Sequence, residues 1–192
     1  MIELWFGVPV FFKDFDNKVF HQELDNAMSN VEIKSAEKIW NDTVQTSFTY
    51  SANNKLLEDC PELSGTIVNT MSEYLTYFNL ENANGMRITG SWINVSERGQ
   101  FQHYHDHAGD DISGVFYHQS TGSTDEGEIV FKSPAPGIAQ SQLMSGQSNK
   151  AYYPPKKGRL MLFPSVLEHA VLPNKTDLKR ISVSFNASII WK

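Results

Sequence analysis

Three histidines stand at alternate positions in one five-residue block of the chain, His103-Tyr104-His105-Asp106-His107. On an extended strand, side chains at alternate positions share one face, so the three imidazoles are expected to point the same way. Imidazoles that converge on one side are natural ligands for a divalent transition metal, and burying them without partners is costly. The block therefore predicts a metal site.

A second set of polar side chains lies near the end of the chain. His169 follows an apolar run, and Arg180 opens a later strand-like run in which Arg180, Ser182 and Ser184 share one face. A guanidinium beside a hydroxyl is suited to hold a carboxylate through charge-assisted hydrogen bonds. The pattern predicts a distant histidine that joins the metal site and an arginine that binds a carboxylate-bearing ligand.

The elements that would position these residues differ between the two halves of the chain. The first half reads as an edge strand at Ile2–Phe12, a helix within Asp16–Asn30, and a longer helix that begins near Asp59, a residue that can cap it. From Gly85 onward, short β-rich runs alternate with turn residues and no helix is predicted. Helices followed by many short strands favour a mainly β sandwich or barrel with N-terminal helices packed on one face.

Two segments of the second half have the composition of loops. Ile138–Tyr153 is rich in Ser, Gln and Gly, and Ser120–Glu126 is a shorter polar insertion. Long loops inside compact domains often cover a functional pocket. We expect both segments to shape a binding pocket.

Composition limits the classes of protein that remain. The chain has 192 residues, 16 Lys and Arg against 22 Asp and Glu, and a net charge of −6, which argues against a nucleic-acid partner. No apolar run approaches the ~20 residues that span a bilayer, and no secretory signal is recognised at the start. The single Cys60 excludes an intrachain disulfide and a cysteine-rich metal site. We expect a cytoplasmic protein without membrane association.

The order and spacing of several segments resemble the Fe(II)- and 2-oxoglutarate-dependent oxygenases, and among them an oxygenase family of marine bacteria and their phages. The segments are LWFGVPV at 4–10, SWIN at 91–94, HDH at 105–107, SGVFY at 113–117, GEIVF at 127–131, GRLMLFPS at 158–165, His169, and RISVSFN at 180–186. The resemblance implies a double-stranded β-helix, or jelly roll, in a single domain spanning 1–192. Residues 85–192 would form its core, and residues 1–80 would supply a strand and supporting helices.

The resemblance also implies an activity and its metal. The protein would be a non-haem Fe(II)- and 2-oxoglutarate-dependent dioxygenase that uses O2, hydroxylates an unidentified primary substrate and releases succinate and CO2. His105, His107 and His169 would bind the Fe(II).

A cosubstrate site is implied in the same way. Arg180 and Ser182 would bind the far carboxylate of 2-oxoglutarate. Asn94 and Tyr117 lie on predicted strands, at positions that members of the superfamily often use to hold the cosubstrate.

One feature departs from the usual pattern of the superfamily, in which two histidines and one carboxylate bind iron and the carboxylate lies two positions after the first histidine. Here His103 is followed two positions later by His105, and His105 by His107. Asp106 lies on the opposite face of an extended chain. The expected site therefore has three histidines. A local bulge could instead bring Asp106 to the metal, or His103 could replace His107.

Two other classes of protein fit part of the pattern. A cupin-like three-histidine metalloenzyme would use no 2-oxoglutarate and would not need the arginine clamp at Arg180. A non-enzymatic jelly-roll binding protein could carry a structural zinc, but such a site is normally closed to further ligands. No motif names the primary substrate, and a homodimer is the default assembly.

Overall fold

The computed structural model describes residues 7–49, 54–80, 82–135 and 149–192. Most of the predicted loop Ile138–Tyr153, and the start of the predicted strand Ile2–Phe12, lie outside these residues. The helices and strands are β1 (Phe11–Asp14), α1 (Lys18–Met28), β2 (Lys34–Ser35), α2 (Glu37–Trp40), β3 (Gln45–Thr46), α3 (Pro61–Leu75), β4 (Ala83–Ser96), β5 (Gln102–His105), β6 (Ile112–Gln119), β7 (Ile129–Lys132), β8 (Lys150–Tyr153), β9 (Arg159–Pro164), β10 (His169–Val171) and β11 (Arg180–Trp191).

The described strands form two antiparallel sheets. The larger sheet has the order β1-β9-β6-β11-β4-β3-β2, and the smaller sheet has the order β5-β10-β7-β8. Strands β4 and β11 pair along most of their length, from Arg180 opposite Ser96 to Trp191 opposite Ala83. They lie in the interior of the larger sheet. The architecture confirms the prediction of a mainly β protein with N-terminal helices.

Helices α1 and α3 cover one face of the larger sheet. Each helix buries an apolar stripe at the spacing expected from the sequence, for example Leu24 on α1 and Ile67 on α3. These stripes pack against Phe116, Val183 and Phe185 from strands β6 and β11. The apolar residues of β11 thus face the helices, and its alternate residues face the smaller sheet.

Helix α3 is capped by a neighbouring helix. It begins at Pro61, and its N-cap position is Cys60, whose side chain makes no capping bond. The Glu23 carboxylate on α1 instead accepts hydrogen bonds from the backbone N–H groups of Glu62 and Leu63, at 3.0 and 3.1 Å. The capping role expected of Asp59 is therefore performed by a side chain from another helix.

A second apolar cluster lies between the two sheets. It contains Val115 and Tyr117 of β6, Phe131 of β7 and Phe163 of β9. This cluster closes one side of the space between the sheets and leaves the other side open as a cavity. Among the described residues, no helix is long and apolar enough to cross a membrane.

Candidate metal centre

A β-bulge in β5 decides which side chains face the space between the sheets. His105 lies directly opposite His169 of β10, but the next opposed pair is Gln102 with Val171, so β5 contains one extra residue. Directly opposed residues share a face of the sheet, and His169 and Val171 share a face by alternation. Gln102 therefore faces the same side as His105. The bulge interrupts the alternation between Gln102 and His105, and the His103 ring, although it also lines the cavity, contacts Asp42.

Three imidazoles converge at this end of the sheets. His105 and His169 come from paired strands, and His107 follows the end of β5, where its backbone N–H donates to the carbonyl of Ser165 at 2.9 Å. One ligand atom from each ring lies within 4.8 Å of the others, and within the described parts of the chain no other trio of His, Cys, Asp or Glu does so. The structure thus brings together His105, His107 and His169.

Hydrogen bonds fix the orientation of two of the rings. Nδ1 of His105 lies 2.7 Å from the carbonyl oxygen of His103, and Nδ1 of His169 lies 2.9 Å from that of Leu167. A carbonyl only accepts, so each Nδ1 carries a proton, and Nε2 is the nitrogen of each ring that can bind a metal. In proteins, a hydrogen bond from the nitrogen that does not bind the metal commonly orients a metal-binding histidine.

Burial keeps the imidazoles in the form that binds metals. Burial, with a contribution from His105, lowers the pKa of His169 to about 3 and that of His107 to about 4. Both side chains are therefore neutral at pH 7 and offer lone pairs. The donor set fits a borderline divalent cation such as Fe(II).

The two alternative ligands considered from the sequence make other contacts. Nδ1 of His103 lies 2.9 Å from Oδ1 of Asp42, and the same oxygen accepts from the backbone N–H of His103 at 2.8 Å. Asp106 is exposed, and its Oδ1 accepts from the backbone N–H of Ala108 at 3.1 Å. Neither side chain belongs to the imidazole cluster.

Arg180 is buried between the sheets, with 2% of its surface exposed. Nη1 donates to the carbonyl of Gly127 at 2.8 Å, whereas the buried Nε has no partner. Arg180 forms no salt bridge with any carboxylate in the described part of the chain. Burial lowers the pKa of the guanidinium, and Tyr117 and Glu126 act in the opposite direction. An arginine is still a cation at neutral pH, so this buried charge has no carboxylate of the described chain within salt-bridge distance.

The turn that presents the Gly127 carbonyl is rigid. Gly127 has a φ of 87°, and a Cβ at this position would collide with the backbone oxygen of Leu172. The preceding Glu126 accepts from the hydroxyls of Ser120 at 2.5 Å and Thr121 at 2.6 Å. These bonds fix the acceptor that orients Arg180.

Other polar side chains of the predicted cosubstrate site lie on adjacent strands. Ser182 lies opposite Asn94 of β4 on one side and Tyr117 of β6 on the other. The hydroxyls of Ser182 and Tyr117 are in buried side chains and make no hydrogen bond to a described residue. Burial raises the pKa of Tyr117, and the nearby Arg180 opposes this shift, so the phenol is neutral.

The Asn94 amide already has protein partners. With its nitrogen toward β3 it donates to Thr46 Oγ1 at 2.8 Å, and its oxygen accepts from Ser184 Oγ at 3.0 Å and Trp92 Nε1 at 3.3 Å. Asn94 thus links Thr46, Ser184 and Trp92, which lie on three strands, by hydrogen bonds in the cavity wall.

Two polar residues of the cavity had no clear sequence signal. The Gln102 side chain is buried and makes no hydrogen bond within the described chain, and it faces the cavity only because of the bulge. Asp42 follows the short helix α2 and reaches His103 across a long sequence separation. A four-residue helix and a single bulge are too short to show a periodic pattern of apolar residues, so the sequence does not reveal them.

One cavity of about 860 Å³ joins the two sets of residues. Its lining contains the three imidazoles, His103 and Asp106 at its mouth, and the four residues predicted for the cosubstrate, Arg180, Ser182, Asn94 and Tyr117. The cavity therefore offers three imidazole ligands and a buried cation without a salt bridge to the same bound molecule.

A family model described as "Putative 2OG-Fe(II) oxygenase" matches residues 90–186. The matched span begins within β4, ends within β11, and includes every residue of the imidazole cluster together with Arg180. No curated protein matches the chain in sequence.

Several solved structures are similar in fold. A prolyl-4-hydroxylase from Pseudomonas putida shares 13% identity with a TM-score of 0.59, and the match covers 96% of this chain and 94% of that one. The epimerase SnoN from nogalamycin biosynthesis, in complex with Fe3+, alpha ketoglutarate and nogalamycin RO, shares 13% identity with a TM-score of 0.67, over 94% of this chain and 79% of that one. HygX from Streptomyces hygroscopicus, with nickel and 2-oxoglutarate bound, shares 11% identity with a TM-score of 0.59, over 94% and 83%. The shared architecture confirms the predicted double-stranded β-helix.

Proposed function

The chain belongs to the 2OG-Fe(II) oxygenase family, and we propose that it is a dioxygenase that hydroxylates a primary substrate while it converts 2-oxoglutarate and O2 to succinate and CO2. The observation that supports this activity best is the presence, in one cavity, of three clustered imidazoles and of Arg180, a buried cation without a salt bridge in the described chain. A buried charge is costly unless a partner neutralises it, and a dicarboxylate can supply that partner.

The metal would be held by His105, His107 and His169 through one nitrogen each. The Nδ1 bonds of His105 and His169 to backbone carbonyls direct their Nε2 atoms at a common point. Three protein ligands leave positions open for other molecules, unlike a closed structural zinc site. Fe(II) at this position would supply the redox chemistry by which O2 oxidises both 2-oxoglutarate and the primary substrate.

The protein's part in cosubstrate binding would be orientation by charge and hydrogen bonds. The far carboxylate of 2-oxoglutarate would accept from Nε of Arg180 and from the hydroxyl of Ser182, with the neutral Tyr117 hydroxyl as a further donor. Charge-assisted bonds of this kind are stronger away from water, and Arg180 is buried. Asn94 would hold the wall in place through Thr46 and Ser184 rather than contact the cosubstrate.

Succinate formation tests the proposed reaction. With Fe(II), O2 and 2-oxoglutarate, the wild-type protein should produce succinate even without its primary substrate, at a slow uncoupled rate that NMR can follow. His169→Ala should abolish succinate formation, because it removes one of the three ligands. His103→Ala is the matched control and should retain it, because His103 contacts Asp42 instead. Equal succinate formation in wild type and His169→Ala would refute the proposed site.

A cupin-like enzyme without 2-oxoglutarate explains the imidazole cluster alone. It gives no reason for an arginine buried in the same cavity without an ion pair among the described residues. The dioxygenase explains both features and is therefore preferred.

A further inference from the structure

Three aromatic rings form a wall beside the imidazole cluster. The ring centroids of Trp40 and Phe48 lie 4.9 Å apart, those of Phe48 and Trp92 lie 5.2 Å apart, and the Trp92 ring lies 6.0 Å from that of His107. All three aromatic residues line the cavity. We call them the aromatic wall. Its position places any molecule that packs on it next to the metal ligands.

Three carboxylates line the mouth of the same cavity. Glu37, Asp106 and Asp110, here called the acidic mouth, form no salt bridge with a lysine, arginine or histidine of the described chain. Within the described chain, Asp110 accepts hydrogen bonds from two neutral groups, the hydroxyls of Thr89 at 2.6 Å and Ser188 at 3.2 Å. The negative charge of the mouth is therefore solvated by neutral donors and not neutralised.

Few cations are available to neutralise this charge. Within the cavity lining, the lysines and arginines are Lys38, at the mouth, and Arg180, at the cosubstrate end. The segments outside the described residues, 1–6, 50–53, 81 and 136–148, contain no lysine, arginine or histidine in their sequence. No side chain from those segments can supply a counter-cation to the acidic mouth.

Other groups show independently that the cavity is built for a polar ligand. Nε of Arg180 is buried without a partner, and the Gln102 side chain, 8% exposed, also lines the cavity without a hydrogen bond to a described residue. Unpaired polar groups of this kind are rare in folded proteins unless a ligand or water satisfies them. The acidic mouth and the aromatic wall then select the charge and the apolar character of the primary substrate, which binds in addition to 2-oxoglutarate.

We propose that the primary substrate carries a cationic amine on an apolar or aromatic body. The body would pack on the aromatic wall, whose ring faces attract cations, and the ammonium N–H groups would donate to the carboxylates of the acidic mouth. This inference rests on the proposed function, because it names the substrate of the same site.

Benzylamine and benzyl alcohol are suitable probes, because they share a body and differ in charge at neutral pH. Binding is measured to metal-free protein in the presence of a chelator, by quenching of tryptophan fluorescence, so that coordination of the amine to a metal cannot contribute. Benzylamine should bind about tenfold more tightly than benzyl alcohol, the amount expected for one desolvated cation–π contact with a carboxylate partner. Added salt should reduce this preference.

The double variant Asp106→Asn/Asp110→Asn should reduce the preference for the amine to about threefold or less. Asp177→Asn is the matched control, because it removes a carboxylate that is 89% exposed and does not line the cavity, and it should leave the preference unchanged. Equal binding of the two probes, absence of benzylamine binding, or a double variant that keeps the full preference would overturn the inference.

Calorimetry of 2-oxoglutarate binding to the metal-loaded protein separates the two proposals. Tight 2-oxoglutarate binding without an amine preference contradicts the substrate inference alone. An amine preference without 2-oxoglutarate binding contradicts the proposed dioxygenase alone. A double variant that loses metal affinity but keeps the amine preference would assign the carboxylates to the metal and also contradict the inference.

Discussion

Arg180 is among the largest side chains that the described structure buries almost completely, and it is a cation. Its single hydrogen bond, from Nη1 to Gly127, fixes the position of the guanidinium but satisfies only part of its donor capacity. A residue that served stability alone would be expected to have a carboxylate partner. The unpaired charge is better explained by a bound anion.

Ser182 and Ser184 provide a matched test on one face of β11. The Ser182 hydroxyl has no hydrogen bond within the described chain, whereas the Ser184 hydroxyl bonds the Asn94 amide at 3.0 Å. Ser182→Ala should weaken 2-oxoglutarate binding about 3- to 10-fold, the net contribution of one typical hydrogen bond, and leave stability nearly unchanged.

Ser184→Ala should give the opposite result. Loss of its bond to Asn94 should lower the free energy of unfolding by about 1 kcal/mol and leave 2-oxoglutarate affinity within about twofold of wild type. Calorimetry and urea unfolding measure the two effects. Equal losses of affinity in both variants would show that Ser182 acts only through packing.

The turn before β7 acts on the cosubstrate site through Arg180. Gly127→Ala should lower the free energy of unfolding by about 3 kcal/mol, because the added methyl group meets the Leu172 carbonyl in a left-handed conformation. It should also weaken 2-oxoglutarate binding, because the Gly127 carbonyl that orients Arg180 must move.

Gly122→Ala is the control for Gly127→Ala. Gly122 also has a positive φ, of 92°, but its nearest neighbour lies at an ordinary van der Waals distance of 3.9 Å. We expect a loss of about 1 kcal/mol in the free energy of unfolding from backbone strain, with unchanged 2-oxoglutarate affinity. If both variants bind 2-oxoglutarate as the wild type does, the turn does not position Arg180.

The contact between α1 and β6 should make stability depend on pH. Nδ1 atoms of His21 and His118 lie 3.0 Å apart, and Nε2 of His118 lies 2.9 Å from Oδ1 of Asp25. Burial lowers the pKa of both histidines, and Asp25 acts in the opposite direction. The unfolded chain, whose histidines titrate near pH 6.5, therefore takes up protons at a higher pH than the folded protein does, so stability falls as pH falls below about 6.5.

His118→Gln should flatten this dependence, because glutamine preserves a polar contact but does not titrate. Urea unfolding of metal-free protein at intervals between about pH 7.5 and 5 gives the slope, which should be smaller in the variant than in wild type. Parallel profiles would show that His118 does not contribute to the loss of stability in acid.

Regular elements were predictable from the sequence, and irregular ones were not. The apolar stripes of α1 and α3 and the alternation along β11 follow from period and propensity, so the helices and the inward face of Arg180 and Ser182 could be expected. The bulge in β5 could not, since it depends on pairing with β10, and it brings Gln102 to the face of His105. The cap from Glu23 and the Asp42–His103 contact depend on tertiary packing and carry no local signal.

The whole molecule places a binding cavity between two sheets and a supporting layer of helices on the outer face of the larger sheet. The family model and the structural likeness confirm the oxygenase family and the jelly-roll fold. The single-domain organisation, a homodimer, a cytoplasmic location and a marine or phage source stay predictions. The net charge of −6 agrees with a cationic substrate, and the absence of a nucleic-acid partner stays a prediction.

The most direct test is an anaerobic titration of the metal-free protein with Fe(II) and then 2-oxoglutarate, followed by the visible charge-transfer absorption of the complex. The wild-type band should saturate near one equivalent of 2-oxoglutarate. Arg180→Gln should weaken 2-oxoglutarate binding about 10- to 100-fold without changing Fe(II) affinity, since it removes the charge-assisted bonds. Arg98→Gln, which replaces an exposed arginine outside the cavity, should behave as the wild type does. Bound Fe(II) with no band and no calorimetric 2-oxoglutarate binding would contradict the proposed dioxygenase.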